Sequence, residues 1–310
     1  TYTSKQMAKA MRTMQAEILA HYPRNSAEDA AVDWTKVAEY ASKGVSSTVN
    51  APAFDFNGYS DEVQTFFNAQ QQWSNDYGTV RVSNRVARLL STTQVDPYPG
   101  GVGNLVPHTA GGVPIGGLYG VDKRLGDGCF DAGTGRAAVK KHGECVATAL
   151  SGTDYAWASD VIQNPTRGAY HQSNTIYVRN HCLAGGFPDC PSGAGPWPIY
   201  DRAFNDLLWA EAELRRSGGS KPLAATLINN TRFGRGGLTP VTAANSFDEL
   251  MRAIAYEQDV ELIQYGTTQY FNRRRVSGTT YPGGTGTNKY TGDLTNHFMA
   301  PEGPWVLNSI

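Results

Sequence analysis

Between Ala203 and Arg275 three apolar periodicities follow one another, divided by glycine-rich breaks, and that order restricts the region to helices joined by short turns. In the first, Phe204, Leu207, Leu208 and Leu214 recur at helical spacing, and Gly218-Gly219 supply residues on which helices end. Ser220 then stands as an N-cap with Pro222 in the first turn, and Ala224, Leu227, Ile228 and Thr231 form a stripe that stops at Gly234-Arg235-Gly236-Gly237. These two segments predict a helical hairpin. The third opens on Ser246-Phe247-Asp248-Glu249, a capping box in which hydroxyl and carboxylate each satisfy an orphan backbone N–H.

The inward stripe of this third helix runs Leu250, Ala253, Ile254, Glu257, Val260 or Glu261, and Gln264, so two carboxylates fall on or beside an apolar face. Buried charges need partners. Arg232, Arg235, Arg273, Arg274 and Arg275 lie in the flanking segments, and a guanidinium suits bidentate pairing with a carboxylate. We therefore expect a structural ion-pair network of Glu257, Glu261, Arg232, Arg235 and Arg274. The competing reading makes Glu257 and Glu261, at i and i+4, a catalytic acid–base pair.

The strings LLWAEAELRRSGG, INNTRFGRGGL and YEQDVELIQYGTTQYFNRRR resemble the C-terminal signature of the SusD/RagB family of outer-membrane nutrient-binding lipoproteins. Ala210 and Glu211 match its "AE" helix. Ile228, Asn229, Arg232, Arg235, Gly237 and Leu238 match its second helix end, and Glu257, Val260, Glu261, Leu262, Gly266, Tyr270, Phe271, Asn272 and Arg274 its third element. Tyr265 stands where the family has an acidic residue, Asn272 replaces Asp, and LTNHFMAPEGPWVL only loosely echoes the family's closing motif. About a quarter of the chain matches strongly. The resemblance implies a mainly α fold, an α-α superhelix of tetratricopeptide-like hairpins. It also implies non-enzymatic capture of oligosaccharide or peptide at the bacterial cell surface, with delivery to a SusC-like TonB-dependent transporter. A lipidated Cys and an early helical segment would precede Thr1, giving membrane contact through an N-terminal lipid.

The rest of the chain divides into a helical scaffold at 1–92, a loop-rich insertion at 93–200, the signature helices at 201–275 and a C-terminal loop at 276–310, together one SusD-like domain. Within the scaffold, Met7, Met11, Met14 and Ile18 mark an amphipathic helix over 4–22, whose stripe reads as core packing ahead of the alternative, an adaptable binding groove. A short helix begins at Ser26. Asp33 caps another, with Trp34, Val37, Ala38 and Ala41 inward and Gly44 as its stop. Further helical segments are expected at 60–72 and 81–92.

From 93 to 200 helical periodicity disappears, and a loop region of that length usually carries function. Its aromatics, among them Tyr155, Trp157, Tyr170, Trp197 and Tyr200, are expected to offer flat faces to a sugar, with Asp160, Arg167 and Asn174 nearby as polar partners. Each taken singly is more readily local core under a loop. Cys129 with Cys145 and Cys182 with Cys190 form two local pairs without zinc spacing, read as two disulfides in an oxidising compartment or as free buried thiols.

The charge balance narrows the function classes. Net charge is −1 with 18% charged residues, below the usual quarter, so neither a nucleic-acid footprint nor a polybasic membrane patch is indicated. Six scattered histidines show no metal-ligand spacing, and no nucleophile elbow, P-loop or dinucleotide fingerprint accompanies a strand-to-helix transition. No cofactor is expected; Asp55, Asn57 and Asp61 could offer oxygens to calcium, but not in EF-hand register. Besides nutrient capture, an assembly role in a surface complex and a glycosidase using Glu257 and Glu261 remain as readings from other classes.

Overall fold

The fold is taken from a computed structural model, which describes residues 1–48, 54–60, 82, 84–90, 109–110, 113–114, 121–130, 139–141, 154–158, 175–177, 179, 195–263, 268, 271–272 and 275. These residues are mainly helical, and the chain divides into two compact units. The first comprises residues 1–56, 198–235 and 239–310; the second comprises 57–197 and 236–238.

The first unit is built from helices whose ends the sequence marks. Helix α1 (Ser4–His21) starts with a capping box between Thr3 and Gln6, the short α2 (Ser26–Ala30) is capped by Asn25, and α3 (Trp34–Ser42) by Asp33. Helix α5 (Arg202–Arg215) begins at Asp201, whose carboxylate accepts from Phe204 N. Gly218 then takes φ +65°, the left-handed conformation in which a Cβ is strained, and lets the chain turn into the next helix. That helix, α6 (Lys221–Arg232), is capped by Ser220 with a proline in its first turn. Helix α7 (Phe247–Glu261) opens on the Ser246–Glu249 capping box. The three signature helices thus lie where their stripes and caps place them.

Helix α5 is the axis of this unit, packing against α3, α6 and α7. Every residue from Ala203 to Glu213 is buried, polar ones included, so α5 is enclosed on all sides and not along one stripe. Phe204, Leu207 and Leu208 meet Leu227 and Ile228 of α6, Leu250 and Ile254 of α7, and Trp34 and Val37 of α3 in one core.

Helix α1 corrects the sequence reading. Met7, Met11, Met14 and Ile18 are exposed, and the buried face carries Ala10, Thr13, Ala16 and Ala20. Both faces have helical period, so spacing could not choose between them. Small side chains suit a close approach: Thr13 Oγ1 donates to Asn205 Oδ1 at 2.9 Å and accepts from Val45 N at 3.0 Å. A Cβ on Gly44 would come within 2.5 Å of both Asn205 Oδ1 and Thr13 Oγ1.

In the region read from the sequence as a loop-rich insertion, the second unit holds strands among its described residues. A four-stranded mixed sheet forms there from β4 (Leu125–Phe130), β5 (Val139–Lys141), β6 (Tyr155–Ala158) and β7 (Thr175–Tyr177), in the order β5-β4-β6-β7. Strands β4 and β6 run parallel, and the outer pairings are antiparallel. The unit also holds the short hairpin of β2 (Thr109–Ala110) and β3 (Val113–Pro114), and helix α4 (Asn84–Leu90), which falls within the 81–92 expected. Strand β1 (Phe56–Ser60) pairs with β8 (Gly195–Tyr200). The segments 61–72 and 276–310 lie outside the described residues, as do Cys145, Cys182 and Cys190, and with them both disulfide expectations.

Candidate functional site

Among the described residues, a cluster of paired ionisable groups lies on α5 and the residues that close over it. Glu211, fully buried, accepts from Arg215 Nε at 2.9 Å, one turn on, and from Arg275 Nε at 3.1 Å and Nη2 at 2.7 Å, a two-pronged bond across 64 residues of sequence. Gln258 of α7 adds a contact at 3.5 Å. Burial pushes the Glu211 carboxyl up, but the charges of Arg275 and Arg215 outweigh it and hold the pKa down at about 2. Both guanidinium groups sit over the Trp34 ring, 5.0 and 6.0 Å from its centroid.

The neighbouring carboxylates follow the same rule. Glu213 accepts from Trp209 Nε1 at 3.1 Å, Arg216 Nη2 at 2.7 Å and Ser220 N at 2.8 Å, which fastens the α5–α6 turn. Glu261, with none of its surface exposed, lies 2.7 Å from Arg235 Nε, and Glu257, equally buried, lies 4.0 Å from Arg232 Nη1. Arg274, the fifth member expected, lies outside the described residues; Arg275 is the arginine that closes on Glu211.

A second chain of contacts links α1 to the same arginine. Tyr200 Oη donates to Glu17 Oε2 at 2.6 Å, and Glu17 Oε1 lies 3.5 Å from His21 Nδ1. His21 Nε2 is 3.3 Å from Asn272 Oδ1, which accepts from Arg275 Nη2 at 2.9 Å. The His21 ring stacks on Phe271 with centroids 5.0 Å apart. Burial lowers the His21 pKa, with Arg275 adding to it against the opposing pull of Glu17. Burial raises that of Glu17, yet its bonds to His21 and Tyr200 bring it below the usual carboxylate range.

Asp206 contrasts with the arginine-paired Glu211 and Glu213. It accepts from Ser46 Oγ, Ser47 N at 3.2 Å and Asn230 Nδ2 at 2.8 Å, all neutral donors. Burial dominates these bonds and raises its pKa to about 6. Together with the Thr13–Asn205–Val45 bonds, Asp206 pins the segment after α3 onto α5.

Of the five aromatics expected to face a ligand, three turn inward. Tyr155, Trp197 and Tyr200 are 0%, 4% and 7% exposed. Tyr155 packs edge-on against Tyr177, and Tyr200 lies against Phe204, so these rings serve as local core. Trp157 is placed in β6, opposite Cys129 of β4, and Tyr170 lies outside the described residues. Asp55, weighed for calcium, instead accepts from Arg202 N at 3.0 Å and Nε at 3.1 Å. Among the described residues no group of three His, Cys, Asp or Glu is placed to hold a metal.

Sequence reasoning named Glu257, Glu261, Arg232 and Arg235 but passed over Glu17, His21, Asp206 and the pairing of Glu211 with Arg275. The i,i+4 relation of Glu211 to Arg215 was readable; the other contacts join elements far apart in sequence, which no local spacing signals. No family model matches the chain, and no curated protein matches it.

Proposed function

We propose that this chain is a non-enzymatic nutrient-binding protein of the SusD/RagB type, capturing an oligosaccharide or peptide outside the cell and passing it to a SusC-like TonB-dependent barrel in the outer membrane. In this reading the hairpin of α5 and α6 belongs to a tetratricopeptide-like superhelix, and a lipid on a segment preceding Thr1 holds the protein at the bacterial surface. Recognition then falls to the region between 93 and 194, including Trp157 and Tyr170, with two disulfides bracing its loops.

One observation supports this division of labour above others. The carboxylates of the signature helices, Glu211, Glu213, Glu257 and Glu261, are buried, each within reach of an arginine from the same unit. A carboxylate enclosed and paired in that way suits architecture and not proton transfer. The matched motif residues are then kept by folding.

The test is a pull-down of the epitope-tagged full-length protein from detergent-solubilised native envelope. A barrel protein recovered in stoichiometric amount is the expected result; its absence under conditions that retain other envelope complexes contradicts the transport role. Trp157→Ala and Tyr170→Ala should each weaken retention on the ligand that the complex carries by about tenfold while leaving the melting temperature unchanged. Turnover of a broad glycan panel that disappears in Glu257→Gln would favour the glycosidase reading.

A further inference from the structure

His21, in the last turn of α1, meets the segment beyond α7 through a set of groups whose charges cancel. Among the described residues, Glu17 of its own helix and Arg275 are the charged side chains that act on it, with Tyr200 bonded to Glu17 and Asn272 on the other edge of the ring. Behind Arg275 stand Glu211 and Arg215 of α5, and α3 contributes the Trp34 ring. Two carboxylates meet two guanidinium groups, so this enclosed set is neutral only while His21 is neutral.

The hydrogen bonds assign the neutral ring. Arg275 can only donate, and its Nη2 at 2.9 Å fixes the Asn272 amide with its oxygen toward both Arg275 and His21. The contact of Nε2 with that oxygen is 3.3 Å and that of Nδ1 with Glu17 is 3.5 Å, so the single proton of a neutral ring belongs on Nε2. A second proton, on Nδ1, would draw the ring toward Glu17. It would also leave two cations, His21 and Arg275, aimed at one oxygen.

We infer that His21 is an acid-released clasp: on taking up a proton it loosens Asn272 and Arg275 from the last turn of α1. The contacts at stake are the stack of His21 on Phe271 at 5.0 Å, the bond from Nε2 to Asn272, and the 3.5 Å reach of Arg275 Nη1 to the carbonyl of Ala20. Burial, joined by Arg275 and opposed by Glu17, holds the His21 pKa below 6.5. A folded pKa below the unfolded one gives stability that is present above pH 6.5 and lost as pH falls. Glu17 and Glu211 titrate below 4.5 and stay ionised through that window. Asp206 acts in the opposite sense, since its contribution is lost as pH rises. With an open form that titrates near 6.5 and a closed form that stays neutral, the open population at pH 5.5 is about tenfold that at pH 7.5.

Cleavage by trypsin after Arg275 reads the opening, because the protease must take the guanidinium that Glu211 holds, and cleavage tracks the open population when reclosing is fast. The full chain is digested at pH 7.5 and at pH 5.5, the cut between Arg275 and Val276 is quantified by mass spectrometry, and its rate is divided by that of an unstructured arginine peptide in the same tube. The expected result is a normalised rate about five- to tenfold higher at pH 5.5. His21→Phe keeps a ring against Phe271 without a titrating nitrogen, and His21→Gln keeps a donor for Asn272; each should give a rate independent of pH. Histidine 15N spectra should show His21 neutral with its proton on Nε2 at pH 7.5, and circular dichroism should be the same at both pH values. A wild-type rate that does not rise, a rise that persists in either folded variant, a rise that accompanies loss of the helical signal, or an imidazolium at pH 7.5 overturns the inference.

Discussion

Asp206 and Glu211 stand five residues apart on α5, both enclosed, and they ionise in opposite ways. Glu211 has two guanidinium partners and Asp206 has neutral donors, so the same burial ends in a depressed pKa for one and a raised pKa for the other. For Asp206 the folded protein holds the proton more tightly than the unfolded chain. Its contribution to stability is full below the ordinary value of 3.8 and is lost as pH rises through about 6, a change of about 3 kcal/mol. Glu211 acts in the reverse sense: its contribution is present above 4.5 and is lost as pH falls towards 2. Chemical denaturation of wild type and Asp206→Asn should therefore differ by a free energy that changes by about 3 kcal/mol between pH 3.5 and pH 7, in favour of the variant at the higher pH. A difference independent of pH would mean that Asp206 is solvated. Of this, only the i,i+4 spacing of Glu211 and Arg215 was legible in AFNDLLWAEAELRR; the other partners, Ser46, Asn230 and Arg275, are far off in sequence.

For elements, legibility followed the strength of local chemistry. The caps at Asp33, Ser220 and Ser246 were readable because hydroxyl or carboxylate meets a backbone N–H three residues on, and helices α3, α6 and α7 start there. Ser246→Ala should cost about 1 kcal/mol in equilibrium unfolding, since it removes the hydroxyl that accepts from Glu249 N and donates to Glu249 Oε2. A loss below about 0.2 kcal/mol would show the capping box to be immaterial to α7. The face of α1 was misread because a stripe of methionines and a stripe of alanines share one period, and only packing against Asn205 and Gly44 decides which is inward. The strands of the second unit went unseen for another reason. They run two to six residues, and β4 pairs in parallel with β6 across a long excursion, so neither alternation nor a hairpin turn announces the sheet.

Across the molecule, the helical unit is held by acids and arginines drawn from distant parts of the chain, and ligand capture is proposed for the residues between 93 and 194. Arg275 is the closing contact: it grips Glu211, meets Asn272 and reaches the carbonyl of Ala20 at 3.5 Å, so α5, α1 and the segment beyond α7 converge on one side chain. If the signature residues are architecture, that contact must carry folding energy. The direct measurement is a double-mutant cycle in equilibrium unfolding at pH 7 with Glu211→Gln, Arg275→Met and the pair together. The account predicts that each single change costs about 3–5 kcal/mol and that the double falls short of their sum by about 2 kcal/mol or more. Single losses below about 1 kcal/mol, or additivity within about 0.5 kcal/mol, would contradict it.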